Sequence, residues 1–336
     1  MPVAMGEFEL IQRFFTRPTP NAVLGVGDDC ALLQPASGMQ LAISTDMLVA
    51  GRHFFPDVDP RTLGHKALAV NLSDLAACGA RPLAFTLALS LPTADATWCQ
   101  AFSEGLLALA EAHGCELIGG DTTRGSLNIC ITVFGEVPAT QAILRSGAQV
   151  EDDIYVSGTL GDARLALEAL QGRIQLPSDI LALARQRLEQ PTPRIPLGMA
   201  LRGIASAATD ISDGLLGDLG HILERSGVGA TLDTLIAIQL IAVCAYSTGA
   251  RGQFPSYLSP QTALQCVLGG GDDYELVFTA PAALRAAVQA ASIASATPVT
   301  RIGQIDRTPG LRLIDARGEP VANTFASFDH FADGAG

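Results

Sequence analysis

The chain has 336 residues, 34 acidic against 21 basic side chains and a formal charge of −13, and Lys66 is its only lysine. So acidic a surface argues against a grip on nucleic-acid phosphates and against anionic membranes, because both need clustered Lys and Arg. Lys66 lies in GHKALAV, not in G-x-x-x-x-G-K-[ST], so no P-loop is present, and the V-A-I-K lysine of protein kinases is missing too.

Taken in chain order, the elements are those of a mixed α/β protein. Glu7 and Glu9 stand where an export signal would need a basic start and an apolar run. MQLAIS (39–44) reads as a strand that delivers Asp46 at its end. Residues 62–79 carry small and apolar side chains at helical spacing, closed by Gly79 and Pro82, with Asn71 and Asp74 on one face. LAFTLALSL (83–91) predicts a buried strand, the stretch from Ala94 to His113 a helix ended by Gly114, and CELIGG (115–120) and LNICITVFGEV (127–137) further strands.

A polar, turn-rich stretch near 138–150 marks a domain boundary, so two domains are expected, 1–145 and 146–336. Beyond it, DIYVSGTLGDARLALEAL reads as strand, glycine turn and helix, and EQPTPRIP (189–196) as an ordered loop. Residues 207–211 predict a short strand, after which Ser212 is a good N-cap for a helix running to Gly227. LIAIQLIAVCAY (235–246) is too short for the roughly 18–20 residues of a bilayer span and reads as a buried helix. Seven cysteines (Cys30, Cys78, Cys99, Cys115, Cys130, Cys244, Cys266) are scattered singly, as expected of reduced thiols in a cytoplasmic protein.

The chemistry sits in aspartates placed in glycine- and serine-rich turns: GVGDDC (25–30), STD (44–46), NLSD (71–74), GGDT (119–122), TDISDG (209–214) and GGGDDYE (269–275). Converging carboxylates repel one another and require cations, and hard Mg²⁺ with phosphate oxygens is the usual answer. The six motifs are therefore read as one metal–phosphate site. Each alone has a plainer reading. Gly-Asp-Asp forms ordinary tight turns, Asp213 can serve as a helix cap, and Glu275 can be a solvated acid on an alternating strand. His53 can be a packing histidine, and Arg145 a surface partner of Glu151.

The strings GVGDDCALL, ISTDMLVAGRHF, KALAVNLSDLAACGARP, GGDT, RSGA, DDIYVSGTLGDA, DISDGLLGDLGHI and GGDDYELVFT, in this order, resemble the successive motifs of the bacterial thiamine-monophosphate kinase family. The chain is similar, more distantly, to aminoimidazole ribonucleotide synthetase and selenophosphate synthetase. The resemblance implies a two-domain synthetase-like α/β architecture. Its N-terminal α/β domain would have a barrel-forming sheet at a homodimer interface, and a C-terminal α/β domain would follow. It implies ATP-dependent phosphorylation of thiamine phosphate to thiamine diphosphate with several Mg²⁺ ions.

By matching motifs, Asp28, Asp46, Asp74, Asp121, Asp210 and Asp213 would be metal ligands, helped by Ser44 and Thr45. Gly120, Asp121, Arg145 and Ser212 would hold ATP, and His53, Glu275 and Phe328 would hold thiamine phosphate. Two positions depart from the family pattern: Ser327 stands where glycine precedes the aromatic, and Leu144 where glycine precedes RSGA.

The residue types agree with that chemistry. A phosphate acceptor is already anionic, so no general base is required, and the five histidines show no dyad with a nucleophile. The alternative on the same architecture is a related ATP-using synthetase or hydrogenase-maturation protein, but a selenophosphate synthetase needs an early reactive Cys with a nearby Lys. A purely structural metal-binding protein would be expected to show a spaced EF-hand loop, which is absent.

Overall fold

The computed structural model describes residues 6–242, 257–325 and 327. They form two compact units: the first holds the chain up to Leu75 together with Ala80–Thr140, the second Ala76–Gly79 and the chain from Gln141 onward.

In the first unit a short helix, α1 (Glu7–Leu10), runs into a π-helical turn over Ile11–Phe15. Next come β1 (Met39–Val49), α2 (Pro60–Ala77), β2 (Arg81–Leu91), α3 (Ala96–Ala112), β3 (Glu116–Arg124) and β4 (Asn128–Pro138). The sheet order is β1-β4-β2-β3. β4 lies antiparallel to both neighbours, whereas β2 and β3 are parallel. A parallel pair needs a crossover, and α3 supplies it. Asp95 starts that helix by accepting from the N–H groups of Thr97 and Trp98.

Two strands run further than the sequence suggests. β1 continues through Asp46 to Val49, paired in register with Ile131 and Asn128. β3 continues through GGDT to Arg124. Ser, Thr, Gly and Asp favour turns locally, but a continuous ladder of β1 on β4, and one of β3 on β2 that resumes after an irregularity at Ile118, outweigh that preference. STD and GGDT are thus strand segments and NLSD is helical; the turns are those at 25–30, 211–214 and 269–275.

The second unit is built on a seven-stranded sheet among the described residues, order β11-β10-β7-β9-β5-β8-β6. Its strands are β5 (Asp153–Ser157), β6 (Ala207–Asp210), β7 (Gly229–Asp233), β8 (Leu276–Ala280), β9 (Val299–Asp306), β10 (Gly310–Ile314) and β11 (Pro320–Val321). Every residue of β5, β6 and β8 is buried, so these strands are covered on both faces. The helices are α4 (Asp162–Leu170), α5 (Ser178–Glu189), α6 (Ile195–Ala200), α7 (Leu215–Ser226), α8 (Thr234–Ile238), α9 (Pro260–Gly269) and α10 (Arg285–Ala294).

The stretch at 235–246, expected as one buried helix, is helical as α8 over Thr234–Ile238 and breaks at Gln239; residues 243–246 lie outside the described residues. Among the described residues no helix is long and apolar enough to cross a membrane.

Because β6 and β8 are antiparallel neighbours with Asp210 opposite Leu276, the loop that leaves β6 meets the turn that enters β8. That topology sets the ISDG loop beside the GGGDDYE turn.

Candidate active site

In the first unit, segment 21–36 lies against the sheet and is pinned at both ends. The N–H groups of Asn21 and Ala22 donate to the Glu116 carboxylate (3.0 and 3.1 Å), and that of Ala36 donates to Glu136 (3.0 Å). Between these anchors Ala22, Ala31 and Leu33 pack on Leu83, Ala84, Ile118 and Phe134. The GVGDDC turn is thereby carried to the GGDT part of β3. Gly27, Asp28 and Asp29 from the turn, and Gly119, Gly120 and Asp121 from the strand, line one cleft of about 670 Å³. Its size lies within the roughly 300–1,000 Å³ usual for small-molecule sites. Asp28 and Asp121 are both exposed.

Gly120 has φ +148°, and a Cβ there would sit 1.9 Å from the Leu87 carbonyl oxygen, so only glycine fits.

A second polar patch joins β1 to α2. Strand alternation puts Ser44 and Asp46 on one face, where the Ser44 hydroxyl donates to Asp74 (2.5 Å) and the Asp46 N–H donates to Asn71 Oδ1 (3.1 Å). Asn71 in turn donates to the Ala67 carbonyl one helical turn back (3.0 Å), which fixes its amide orientation. Thr45 points to the opposite face and pairs with the Thr132 hydroxyl (2.9 Å). Lys66, the lone lysine, is buried on α2 at 3% exposure and is no surface cation. Just past β1, His53 Nδ1 accepts from the Val49 N–H (2.9 Å), which places the ring proton of the neutral form on Nε2.

In the second unit, β6 ends at Asp210, which is buried. The following loop is held by the GGGDDYE turn: Ile211 N–H donates to the Glu275 carbonyl (2.8 Å), Tyr274 N–H to that of Ile211 (2.8 Å), and Asp272 N–H to that of Ser212 (2.9 Å). Ser212 is not the N-cap that the sequence suggests. The N-cap is Gly214 at φ +121°, where a Cβ would stand 2.9 Å from the Gly269 backbone. The N–H groups of Ser212, Asp213 and Gly214 all donate to one oxygen of Asp218 (3.0, 3.1 and 3.1 Å), from the first turn of α7. Burial and the neighbouring Asp213 push the Asp218 carboxyl up to about 7.

Glu275 is not a solvated acid. Its carboxylate is fully buried and accepts from the Ser157 hydroxyl (2.6 Å), from Arg187 (2.7 Å) and from Nε and Nη2 of Arg194 (2.6 and 2.5 Å). Asp273 is buried as well, with both oxygens on the Gly161 N–H, and desolvation raises its carboxyl. The half-buried acid of the turn is Asp272, at φ +68°.

Arg145 donates from Nε to the Thr209 hydroxyl (3.3 Å), one residue before Asp210, not to Glu151. Phe328 lies outside the described residues; its neighbour Ser327 accepts the Gly217 N–H on α7 (2.9 Å). Burial pushes the Cys99 thiol up to about 11 and Cys266 to about 12, which removes them as nucleophiles near neutral pH.

Two family models match the chain: AIR synthase related protein, N-terminal domain, over residues 27–137, and AIR synthase related protein, C-terminal domain, over 149–316. A thiamine-monophosphate kinase from Salmonella typhimurium is 47% identical over 335 residues, covering 98% of this chain and 99% of the relative. The chain belongs to the thiamine-monophosphate kinase family. Among solved structures, the thiamine-monophosphate kinase of Stenotrophomonas maltophilia K279a is 45% identical with a TM-score of 0.78, over 90% of this chain and 93% of that one. AaThiL complexed with AMPPCP and TMP is 28% identical with a TM-score of 0.71, over 89% of each chain. The two α/β units carry the architecture expected for thiamine-monophosphate kinases.

A resident divalent ion fits the donors present. Among the described residues no three Asp, Glu, His or Cys side chains converge to hold a metal by themselves. Mg²⁺ does not need three, since it keeps waters and takes one or two carboxylates plus substrate phosphates. The Ser44–Asp46–Asp74 patch supplies two carboxylates and a hydroxyl, all hard oxygen donors.

Sequence reasoning on this thiamine-monophosphate kinase relative missed Asp218, Arg187 and Arg194, and named Asp272 only as one of the charges in GGGDDYE. Asp218 carried a readable signal, an acid in the first turn of the helix that follows TDISDG. The arginines carried none, because they meet Glu275 from 88 and 81 residues away.

Proposed function

We propose that this protein transfers the γ-phosphoryl group of ATP to thiamine phosphate, giving thiamine diphosphate and ADP, as a Mg²⁺-dependent homodimer in the cytoplasm. The observation that carries the reading is the cleft of the first unit, where Gly27–Asp28 and Gly120–Asp121 converge in a chain that matches thiamine-monophosphate kinases almost end to end. A structural neighbour that holds AMPPCP supports the nucleotide. We assign ATP and metal binding chiefly to residues 1–145, and a second α/β domain to 146–336.

In this reading Asp28, Asp46, Asp74 and Asp121, with Ser44 and Thr45, are the metal-facing oxygens of the first unit, and Asp210 and Asp213 those of the second. Thr45 would act through its backbone, because its hydroxyl is turned to Thr132. Bound Mg²⁺ neutralises phosphate charge and aligns the transferring group, which is most of what phosphoryl transfer requires.

In the first unit the glycine backbone at Gly120 permits close approach of nucleotide phosphates; in the second, Arg145 and the Ser212 hydroxyl are the groups assigned to ATP. His53 donates from Nε2 to the phosphate of the acceptor. Glu275 was assigned to thiamine phosphate by motif; its burial gives it the task of locking the turn, and Asp272 is the acid that meets the cationic substrate. Phe328 remains the aromatic assigned to the thiamine ring. The acceptor phosphate attacks as an anion, so no side chain has to remove a proton.

The homodimer is supported by β1, an edge strand that exposes Leu41 (42%), Ile43 (59%) and Met47 (53%) on one face. A second copy would cover that face and the free edge together.

A coupled assay for ADP, with thiamine diphosphate identified by chromatography, tests the reading. Turnover with ATP, Mg²⁺ and thiamine phosphate together is expected, and none when any one is omitted. Folded protein that makes neither product overturns it.

A further inference from the structure

The loop after β6 consumes all of its own amides. Ile211 N–H donates to the Glu275 carbonyl, and the next three N–H groups donate to the single Asp218 oxygen at 3.0, 3.1 and 3.1 Å. Consecutive amides turned toward one point form the concavity that elsewhere takes a phosphate oxygen, and a helix N-terminus adds to its attraction for anions. Here that anion is built in. Asp218 is 3% exposed, and α7 holds it in place by burying Leu215, Leu219 and Ile222. An incoming phosphate therefore finds no amide to bind on this loop. The oxygen-bearing side chains that stay half-buried on the loop are those of Ser212 and Asp213, whereas Asp210 before them is buried.

We propose that Asp218 is a positioning residue for divalent-metal binding: its carboxylate fixes the Ser212–Gly214 backbone and with it the placement of the Asp213 carboxylate. It converts a turn of the anion-binding type into one that takes a cation. This deepens the kinase reading and rests on it for the identity of the metal. Asp218 touches neither metal nor substrate. It acts through three hydrogen bonds to one carboxylate oxygen, which Asn would accept only in part.

The test is Mn²⁺ binding to the full chain, followed by electron paramagnetic resonance with and without AMPPCP, beside melting curves and the Mg²⁺ dependence of turnover. Asp218→Asn is expected to weaken Mn²⁺ binding by about tenfold or more, the usual cost of losing an outer partner of a metal ligand. The Mg²⁺ concentration for half-maximal turnover should rise by a similar factor, with kcat recovering at saturating Mg²⁺ and little change in melting temperature. Wild-type Mn²⁺ affinity in folded Asp218→Asn overturns the proposal, as does wild-type protein that binds no Mn²⁺ in either condition.

If the variant does not fold, hydrogen exchange of peptide 211–216 in the wild-type protein decides. Protection that persists when Mg²⁺ and AMPPCP bind supports the proposal, and amides that open to the nucleotide overturn it. Loss of Mn²⁺ affinity in the variant while the wild-type protein makes no ADP would leave the role of Asp218 standing and the kinase reading fallen.

Discussion

Glu275 and Arg194 form a two-point ion pair inside the second unit, Nε and Nη2 of the guanidinium donating at 2.6 and 2.5 Å to a carboxylate with no solvent exposure. Arg187 donates to the same group at 2.7 Å. Removing the glutamate strands two partly buried cations, and breaking a buried pair from one side costs about 3–5 kcal/mol. Glu275→Ala is expected to lose stability on that scale in urea unfolding. Asp272→Asn should keep its stability and raise KM for thiamine phosphate instead. A Glu275→Ala protein as stable as wild type, with only KM altered, would return Glu275 to direct substrate contact.

Asp153 gives the fold an acid limit. Its carboxylate accepts from Arg285 (2.5 and 2.9 Å) and Arg301 (2.6 Å), and those bonds, Arg285 first, hold its pKa below the ordinary 3.8 against the opposing effect of burial. The folded chain therefore binds this proton less tightly than the unfolded chain does. The resulting stability is complete above the ordinary value and is lost as pH falls through the lowered one. Melting temperatures of wild type and Asp153→Asn should differ near neutral pH and converge below about pH 4. A gap that stays constant into acid would show that the ion pairs are not its source.

Gly120 is the position where the cleft tolerates no side chain. A Cβ would need the Leu87 carbonyl to retreat from 1.9 Å, at a φ of +148° that costs a non-glycine residue about 1–3 kcal/mol in its own right. Gly120→Ala is expected to lower the melting temperature and to weaken ATP binding measured by calorimetry. Unchanged ATP affinity in the folded variant would move the nucleotide phosphates away from β3.

The aspartates themselves were legible, and so was the face shared by Asn71 and Asp74, because helical spacing alone determines it. What the sequence concealed was the setting of each motif. Local turn preference in STD and GGDT lost to strand pairing that depends on residues about ninety positions away in β4 or thirty in β2, and no local rule sees such partners. The start of α7 differs from the sequence reading because Asp218, from inside the helix, holds the three amides of Ser212, Asp213 and Gly214 in the loop before it and leaves Gly214 as the N-cap. The setting of Glu275 is hidden for a similar reason: it stands one residue before β8, and nothing local shows that Arg187 and Arg194 meet it from 88 and 81 residues away.

Asp46 and Asp210 are the sharpest tests of the metal assignment. Asn preserves size and one acceptor at each position while removing charge. Asp46→Asn and Asp210→Asn should each cut kcat by at least about a hundredfold, close to 3 kcal/mol of barrier, with melting temperatures near wild type. Chelation of divalent ions should abolish turnover in the wild-type protein, and added Mg²⁺ should restore it. Near-normal rates in both variants would show that other oxygens hold the metal.

The exposed face of β1 predicts the assembly. Ile43 is 59% exposed and lies opposite Phe134 in the β1–β4 ladder, so a charge placed there enters the middle of the apolar strip. A stable pairing of copies buries about 800 Å² on each partner and excludes unpaired charge from its centre. Light scattering after size exclusion should find a dimer for the wild type and a monomer for Ile43→Arg. The far-ultraviolet spectrum should be unchanged, because the side chain leaves no cavity in the core. A wild-type protein that runs as a monomer at micromolar concentration removes the dimer from the proposal, and a dimer that survives the arginine places its interface on another surface.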